Sequence, residues 1–146
     1  MKRICILALL LFTCACAWGQ LNVKSKSAPV ERLSTAMSSR ATLCQKAEYG
    51  IFMVVLSSNR FDKGAVFFLG EDRPSAVRTL SDLVGLCSSE SDEVLTVEAR
   101  PDHTCLIMPG KDGLRLKFQE HAGNCELRKK DLEAFIEKLS EFVLDN

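Results

Sequence analysis

The stretch Leu114-Arg-Leu-Lys-Phe118 alternates apolar and polar side chains, which is the pattern of a β-strand with one buried face. Further along the chain, apolar side chains return every three or four residues, which is the spacing of an amphipathic helix. This helical stripe consists of Leu132, Phe135, Ile136, Leu139, Phe142 and Val143. The combination predicts an α+β fold, in which the helix covers one face of an antiparallel β-sheet.

A second amphipathic helix and two buried strands are predicted earlier in the chain. Asp72 can cap the first turn of this helix. Its apolar stripe consists of Ala76, Val77, Leu80, Leu83, Val84 and Cys87. Ile51–Leu56 and Ala65–Leu69 are short apolar runs bounded by turn residues, which is typical of strands buried on both faces. Such strands need a second cover, either from the N-terminal segment or from a homodimer partner.

The remaining strands complete the predicted element order. Val94–Arg100 and His103–Met108 read as strands, and Ala41–Ala47 is a further candidate at the start of the fold. The order is therefore (β)ββα-βββα. If Ala41–Ala47 is a strand, the chain consists of two βββα units, and an internal duplication becomes a hypothesis.

The N-terminus has the pattern of an export signal. Lys2 and Arg3 precede the apolar run Ile4–Phe12, and small residues follow, so cleavage after Ala17 or Gly19 is predicted. The apolar stretch is shorter than the ~20 residues that a membrane span requires. Location is therefore predicted to be secreted or periplasmic, without a membrane span.

Three regions follow from this signal. Residues 1–19 form the signal peptide, residues 20–40 a polar spacer that could include a short helix from Val30, and residues 41–146 a single α+β domain. A lipoprotein leader is the alternative interpretation, because Leu11-Phe-Thr-Cys14 has the frame of a bacterial lipobox and Cys16 follows two residues later. Acylation of Cys14 or Cys16 would anchor the protein to the cell envelope.

The charge balance argues against nucleic acid as a partner. The chain has 19 basic and 19 acidic residues, and two of the basic residues, Lys2 and Arg3, belong to the leader. The exported chain therefore has a small acidic excess, whereas a nucleic-acid binder usually presents a basic face.

Four of the seven cysteines lie beyond the leader, namely Cys44, Cys87, Cys105 and Cys125. An even number in an exported chain predicts two disulfides, with three connectivities open. Strand geometry favours the pair Cys105–Cys125, and Cys44–Cys87 would then be the second bond.

A metal site is the competing interpretation of part of this set. If Met108 pairs with Leu114 in a hairpin, His103 and Cys105 point to the outward face of the sheet, and the chain after Gln119 could bring the other two candidates nearby. The four candidate zinc ligands are His103, Cys105, His121 and Cys125. Their spacing matches no established zinc motif, so a disulfide with two surface histidines is the preferred interpretation.

The loop Asn59-Arg-Phe-Asp62 carries an amide, a cation, an aromatic ring and a carboxylate, which makes it a candidate recognition loop. Ordinary turn chemistry explains much of the same polarity.

Common catalytic and cofactor motifs are absent from the sequence, so no cofactor is predicted. We expect an exported module that binds a protein or an envelope component. The alternatives are a dimeric assembly subunit and a small hydrolase using His103 or His121.

Overall fold

The α+β class is confirmed by a computed structural model, which describes residues 30–46, 51–89 and 91–141. Within these ranges the chain forms eight strands and two helices in the order ββββα-ββββα. The elements are β1 (Val30–Ala36), β2 (Ala41–Lys46), β3 (Ile51–Leu56), β4 (Ala65–Gly70), α1 (Arg73–Cys87), β5 (Leu95–Arg100), β6 (His103–Pro109), β7 (Gly113–Phe118), β8 (Asn124–Arg128) and α2 (Lys129–Glu141).

The strands form two separate antiparallel sheets rather than one. The first sheet has the order β1-β2-β3-β4 and the second has the order β5-β6-β7-β8. Each sheet is a simple meander of neighbouring strands followed by a helix. The candidate strand at Ala41 is confirmed as β2, and each unit contains one strand more than the sequence pattern predicted, since β1 and β8 were not expected.

Strand β1 lies where a spacer or a short helix was expected. Its pairing with β2 shifts register between Arg32 and Ser34, which marks a β-bulge. The bulge turns Leu33 and Ala36 toward the core, although they are three residues apart. The helical expectation rested on the spacing of Val30, Leu33 and Met37, but Val30 and Met37 are exposed and only Leu33 packs against the core.

Both helices bury their predicted stripes against the inner faces of the sheets. Helix α1 begins after Asp72, whose side chain accepts a hydrogen bond from Ser75 N at 2.8 Å. Helix α1 packs against α2 and β4, and α2 also contacts β1 and β8. The buried helical side chains that join the core are Ala76, Leu80, Leu83, Cys87, Leu132, Phe135 and Leu139. Phe142 and Val143 lie outside the described residues.

The register of the β6–β7 hairpin differs by one residue from the expected one. Met108 pairs with Arg115, and Leu114 pairs with Pro109. A shift of one residue exchanges the two faces of a strand, so Cys105 points inward instead of outward. It is only 1% exposed and belongs to the core. The apolar alternation of β7 is confirmed, since Leu114, Leu116 and Phe118 are buried.

Candidate functional site

Three strand connections meet at one end of the molecule. They are the β1–β2 turn (residues 37–40), the β3–β4 loop (residues 57–64) and the β7–β8 turn (residues 119–123), and we call them together the tip. Ser57 N donates to Arg40 O at 3.1 Å, and the Arg40 guanidinium donates to Ser58 O at 2.6 Å. Gly123 of the second unit packs so closely that an added Cβ would lie 2.5 Å from Ser58 Cβ. The tip therefore joins loops from both units.

Asp62 organises the β3–β4 loop. One carboxylate oxygen accepts hydrogen bonds from Ser58 N and Ser58 Oγ, each at 3.1 Å, and the other accepts from Gly64 N at 3.1 Å. The backbone hydrogen bond from Ser58, followed by that from Gly64, lowers the pKa of Asp62 to about 2. Gly64 has a φ of +83°, a conformation that favours glycine. The loop is thus closed around an ionised carboxylate.

His121 connects this loop to the second unit. Its Nε2 contacts Asp62 Oδ2, and its Nδ1 lies 3.1 Å from Gly123 O and 3.3 Å from Gly123 N. Both ring nitrogens are therefore engaged. In a serine hydrolase the histidine stands between the acid and the nucleophile, whereas here Asp62 stands between Ser58 and His121. This order suits a structural clasp, because Ser58 Oγ donates to the Asp62 carboxylate, whose lowered pKa makes it a weak base, and not to a histidine.

The candidate recognition loop divides into residues that shape it and residues that it displays. Asn59 accepts a hydrogen bond from Phe61 N at 2.9 Å through its side-chain oxygen, and Asp62 closes the loop as described. Phe61 is 83% exposed. The Arg60 guanidinium lies 4.7 Å from the centre of the Phe61 ring, within the range of a cation–π contact. Turn chemistry therefore accounts for Asn59 and Asp62 but not for Arg60 and Phe61.

The tip exposes a second apolar side chain, which was not predicted from the sequence. Met37, in the β1–β2 turn, is 84% exposed. Arg40 closes this turn with a φ of 49°, an uncommon value for a residue other than glycine, and Arg40 N donates to Met37 O at 3.3 Å. The run Met37-Ser-Ser-Arg40 carries no strong turn signal, so the turn that exposes Met37 could not be predicted from the sequence.

A polar cleft lies beside Met37, between the two units. Its volume is about 380 Å³, and its lining residues are Met37, Ser38, Ser39, Arg40, Ser57, Ser58, Asn124 and Glu126. Behind it, Ser38 Oγ donates to Asp131 Oδ2 at 2.7 Å, and Ser39 Oγ also donates to that oxygen. Ser39 Oγ in turn accepts from Arg128 N at 2.9 Å. The β1–β2 turn is therefore fixed to the start of α2.

The four candidate zinc ligands do not come together. His103 Nδ1 lies 3.0 Å from Glu120 Oε1, while Cys105 and Cys125 are buried in the core. His121 is held by Asp62. Among the described residues, no group of three His, Cys, Asp or Glu side chains is placed to hold a metal.

The predicted disulfides are not formed, and all four cysteines have free, buried thiols. Cys105 and Cys125 pair with Phe118 and Leu116, on opposite sides of β7. Two strand spacings place them roughly 10 Å apart, beyond the ~7 Å limit for Cα atoms in a disulfide. Cys44 lies on the outward face of the first sheet, next to Met53, so it is separated from Cys87 on the inner side of α1.

Burial controls the chemistry of these thiols. It raises the pKa of Cys105 and of Cys125 to about 11. Burial also raises the pKa of Cys44 and of Cys87 above the ordinary value. Since the thiolate is the reactive form, the four thiols are protected in the folded chain.

Comparison with known proteins found no family model, no curated protein and no solved structure that matches the chain. Neither helix in the described part of the chain has the length and apolarity needed to cross a membrane.

Proposed function

We propose that the protein is an exported binding module that contacts a protein or an envelope component through the tip. The observation that carries this proposal is the display of Phe61 in a loop whose backbone is fixed. Asp62 and Asn59 hold the loop from within, and His121 holds it from the second unit. A fixed loop loses little conformational entropy on binding, so more of the contact energy remains for affinity.

The displayed side chains are of the kind that contribute strongly to interfaces. Complete burial of Phe61 or Met37 against a partner would contribute roughly 1.5–3 kcal/mol each before the costs of association. Arginine and aromatic side chains are enriched among residues that dominate binding energy, and Arg60 lies over the Phe61 ring. The neighbouring polar cleft, whose lining includes Ser57, Asn124 and Glu126, supplies a polar rim beside this apolar centre.

Export is part of the same proposal, and it is supported by the leader. Free thiols do not oppose it, because buried groups with raised pKa values react slowly with oxidants. Mature protein is expected to begin at Trp18 or Gln20. A lipid anchor at Cys14 or Cys16 is the alternative outcome, and intact mass spectrometry of the native protein distinguishes the two by the mass of the acyl chains.

Site-specific photocrosslinking tests the role of the tip. A benzophenone amino acid replaces Phe61 in one variant and Val94, a 55% exposed residue outside the tip, in a matched control. Irradiation in the compartment where the protein resides should yield an adduct of defined mass from position 61 but not from position 94. Equal adduct patterns at both positions, or none at position 61, would refute the proposal.

A competition experiment adds an independent readout. Purified wild-type protein should suppress the adduct at position 61, whereas a variant carrying both Met37→Ala and Phe61→Ala should not. Both side chains are exposed, so these substitutions should change the free energy of unfolding by about 0.5 kcal/mol or less. Suppression by the double variant at equal concentration would show that the tip does not bind the partner.

A further inference from the structure

The most exposed large apolar side chains of the described residues both lie in the tip. Phe61 is 83% exposed and Met37 is 84% exposed, whereas the other exposed large apolar side chains that the structure describes reach at most 55%. Hydrogen bonds between Arg40 and the β3–β4 loop hold the two connections next to each other. One end of the molecule therefore carries both side chains into solvent.

The charge that the tip displays is mainly positive. Its exposed cations are Arg40, Arg60 and Lys63. Its two carboxylates, Asp62 and Glu120, both have partners within the protein. The neighbouring cleft adds one carboxylate, Glu126, against the three cations. Two of these cations flank Phe61 in the chain, so the displayed aromatic ring has a positive border.

The backbone around Phe61 is already satisfied by hydrogen bonds within the loop. Phe61 N donates to Asn59 Oδ1 at 2.9 Å, and Asp62 N donates to Asn59 O at 3.3 Å. Ser58 N and Gly64 N donate to the Asp62 carboxylate. Transfer of an unpaired backbone N–H from water to an apolar surrounding is costly. These internal hydrogen bonds allow the loop to leave water without that cost at the N–H groups that they engage.

We propose that the tip binds the surface of an anionic lipid bilayer. Phe61 and Met37 enter the boundary between headgroups and acyl chains, and Arg60 and Lys63 lie against the headgroup phosphates. This inference rests on the proposed function, for which it names the envelope component. At a membrane interface, apolar burial and attraction to anionic lipid act together, so a few side chains are sufficient for reversible binding.

The small size of the tip favours a lipid surface over a protein partner. Residues 37–40, 57–64 and 119–123 together are fewer than the roughly 20–30 residues that each side contributes to a protein interface of standard size. The cleft beside Met37 is lined mainly by polar side chains, so it offers a poor pocket for an apolar anchor of a partner. A bilayer requires no matching shape, and it accepts apolar side chains that project singly.

Vesicle flotation tests the proposal with protein purified after expression of the full-length sequence. All variants share one N-terminus, so a retained leader or an acyl anchor contributes equally to each. Wild-type protein should bind vesicles of phosphatidylglycerol and phosphatidylcholine in equal parts more strongly than vesicles of phosphatidylcholine alone. High salt should reduce this difference, because it screens exposed charges. Soluble glycerol phosphate should not displace the protein, because it offers no apolar phase.

Matched variants separate the tip from the rest of the surface. Phe61→Ala should lower the partition coefficient on anionic vesicles about 10-fold, and the double variant Arg60→Gln, Lys63→Gln should lower it about 10- to 30-fold. The controls are Val94→Ala and Lys111→Gln, two exposed positions outside the tip, which should bind like the wild type. Circular dichroism confirms that all variants are folded.

A tryptophan at position 61 reports insertion directly. With anionic vesicles, the emission of Phe61→Trp should move to shorter wavelength, and brominated acyl chains should quench it. Val94→Trp should show neither effect. Trp18 is the only tryptophan of the sequence, so wild-type protein measures its contribution.

The outcomes separate this inference from the proposed function. Wild-type protein that does not bind anionic vesicles overturns the lipid partner, and so do tip variants that bind no less than the two controls. If the photocrosslinker at position 61 then yields an adduct with a protein, the tip binds a protein and only the lipid inference fails. If position 61 yields no adduct and the vesicles are not bound, the proposed function fails as well.

Discussion

Replacement of Ser39 by alanine should destabilise the fold much more than replacement of Ser38, although both serines donate to the same carboxylate of Asp131. Ser39 is 3% exposed and Asp131 is 8% exposed. Ser39 Oγ also accepts the hydrogen bond from Arg128 N, at the end of β8 and one residue before α2. One buried hydroxyl thus satisfies a backbone donor and a carboxylate oxygen at the same time.

The size of the difference follows from the groups that lose a partner. Ser39→Ala removes the acceptor of the Arg128 N–H, in a partly buried contact, and removes one donor from the buried carboxylate of Asp131. At about 1–2 kcal/mol for each unsatisfied group, the free energy of unfolding should fall by about 2–4 kcal/mol. Ser38→Ala removes one hydrogen bond at the more exposed serine, and should cost about 0.5–1.5 kcal/mol.

Urea denaturation followed by circular dichroism measures both values on one scale, with the m-value as a check that the two-state transition is preserved. In thermal melts, the Ser39 variant should lose about 8–16 °C in Tm, given roughly 4 °C per kcal/mol for a domain of this size. A Ser39→Ala variant no less stable than Ser38→Ala would refute the role of this hydroxyl as a link between the β1–β2 turn and α2.

Three further predictions concern the tip and the thiols. Asp62 has a pKa lowered to about 2 from 3.8, so its contribution to stability is complete above about pH 4 and is lost as pH falls from there toward 2. Urea titrations at several pH values should show the free energy of unfolding falling over this range in the wild type and falling less steeply in Asp62→Asn. Burial raises the pKa of Cys105 and Cys125 to about 11, so the native protein should react with a thiol reagent at pH 8 much more slowly than the unfolded protein. In the unfolded protein, Cys44 and Cys87 also react freely. Rapid labelling of the native protein would contradict the burial of these thiols. Gly123→Ala places a Cβ 2.5 Å from Ser58 Cβ and Oγ, so it should separate the turn from the loop and lower Tm; an unchanged Tm would show that the contact gives way without cost.

The elements predicted best from the sequence are those in which one physical pattern dominates. Helix α1 begins at its predicted cap, Asp72, and β7 buries the expected alternate residues. Strand β1 was missed because a bulge at Leu33 breaks its period of two. Strand β8 was missed because only Cys125 and Leu127 mark its inward face, which is too short a pattern to identify a strand.

The errors at the candidate sites have a different origin, since they depend on register. The observed register, shifted by one residue in the β6–β7 hairpin, places Cys105 in the core and not on the outward face, and the candidate zinc ligands are separated as a result. The disulfide prediction failed for a related reason. Cys105 and Cys125 both face the core, but β7 lies between them, and no sequence pattern indicated that β8 would pair on its far side.

The tip shows why a single unit would not suffice for the proposed function. The candidate recognition loop belongs to the first unit, yet His121, which holds Asp62, and Gly123, which packs on Ser58, belong to the second. Arg128 and Asp131 of the second unit likewise hold the β1–β2 turn that displays Met37. Each displayed apolar side chain therefore lies on a loop of one unit that is fixed by the other. The proposed binding surface therefore requires both units to be folded and packed together.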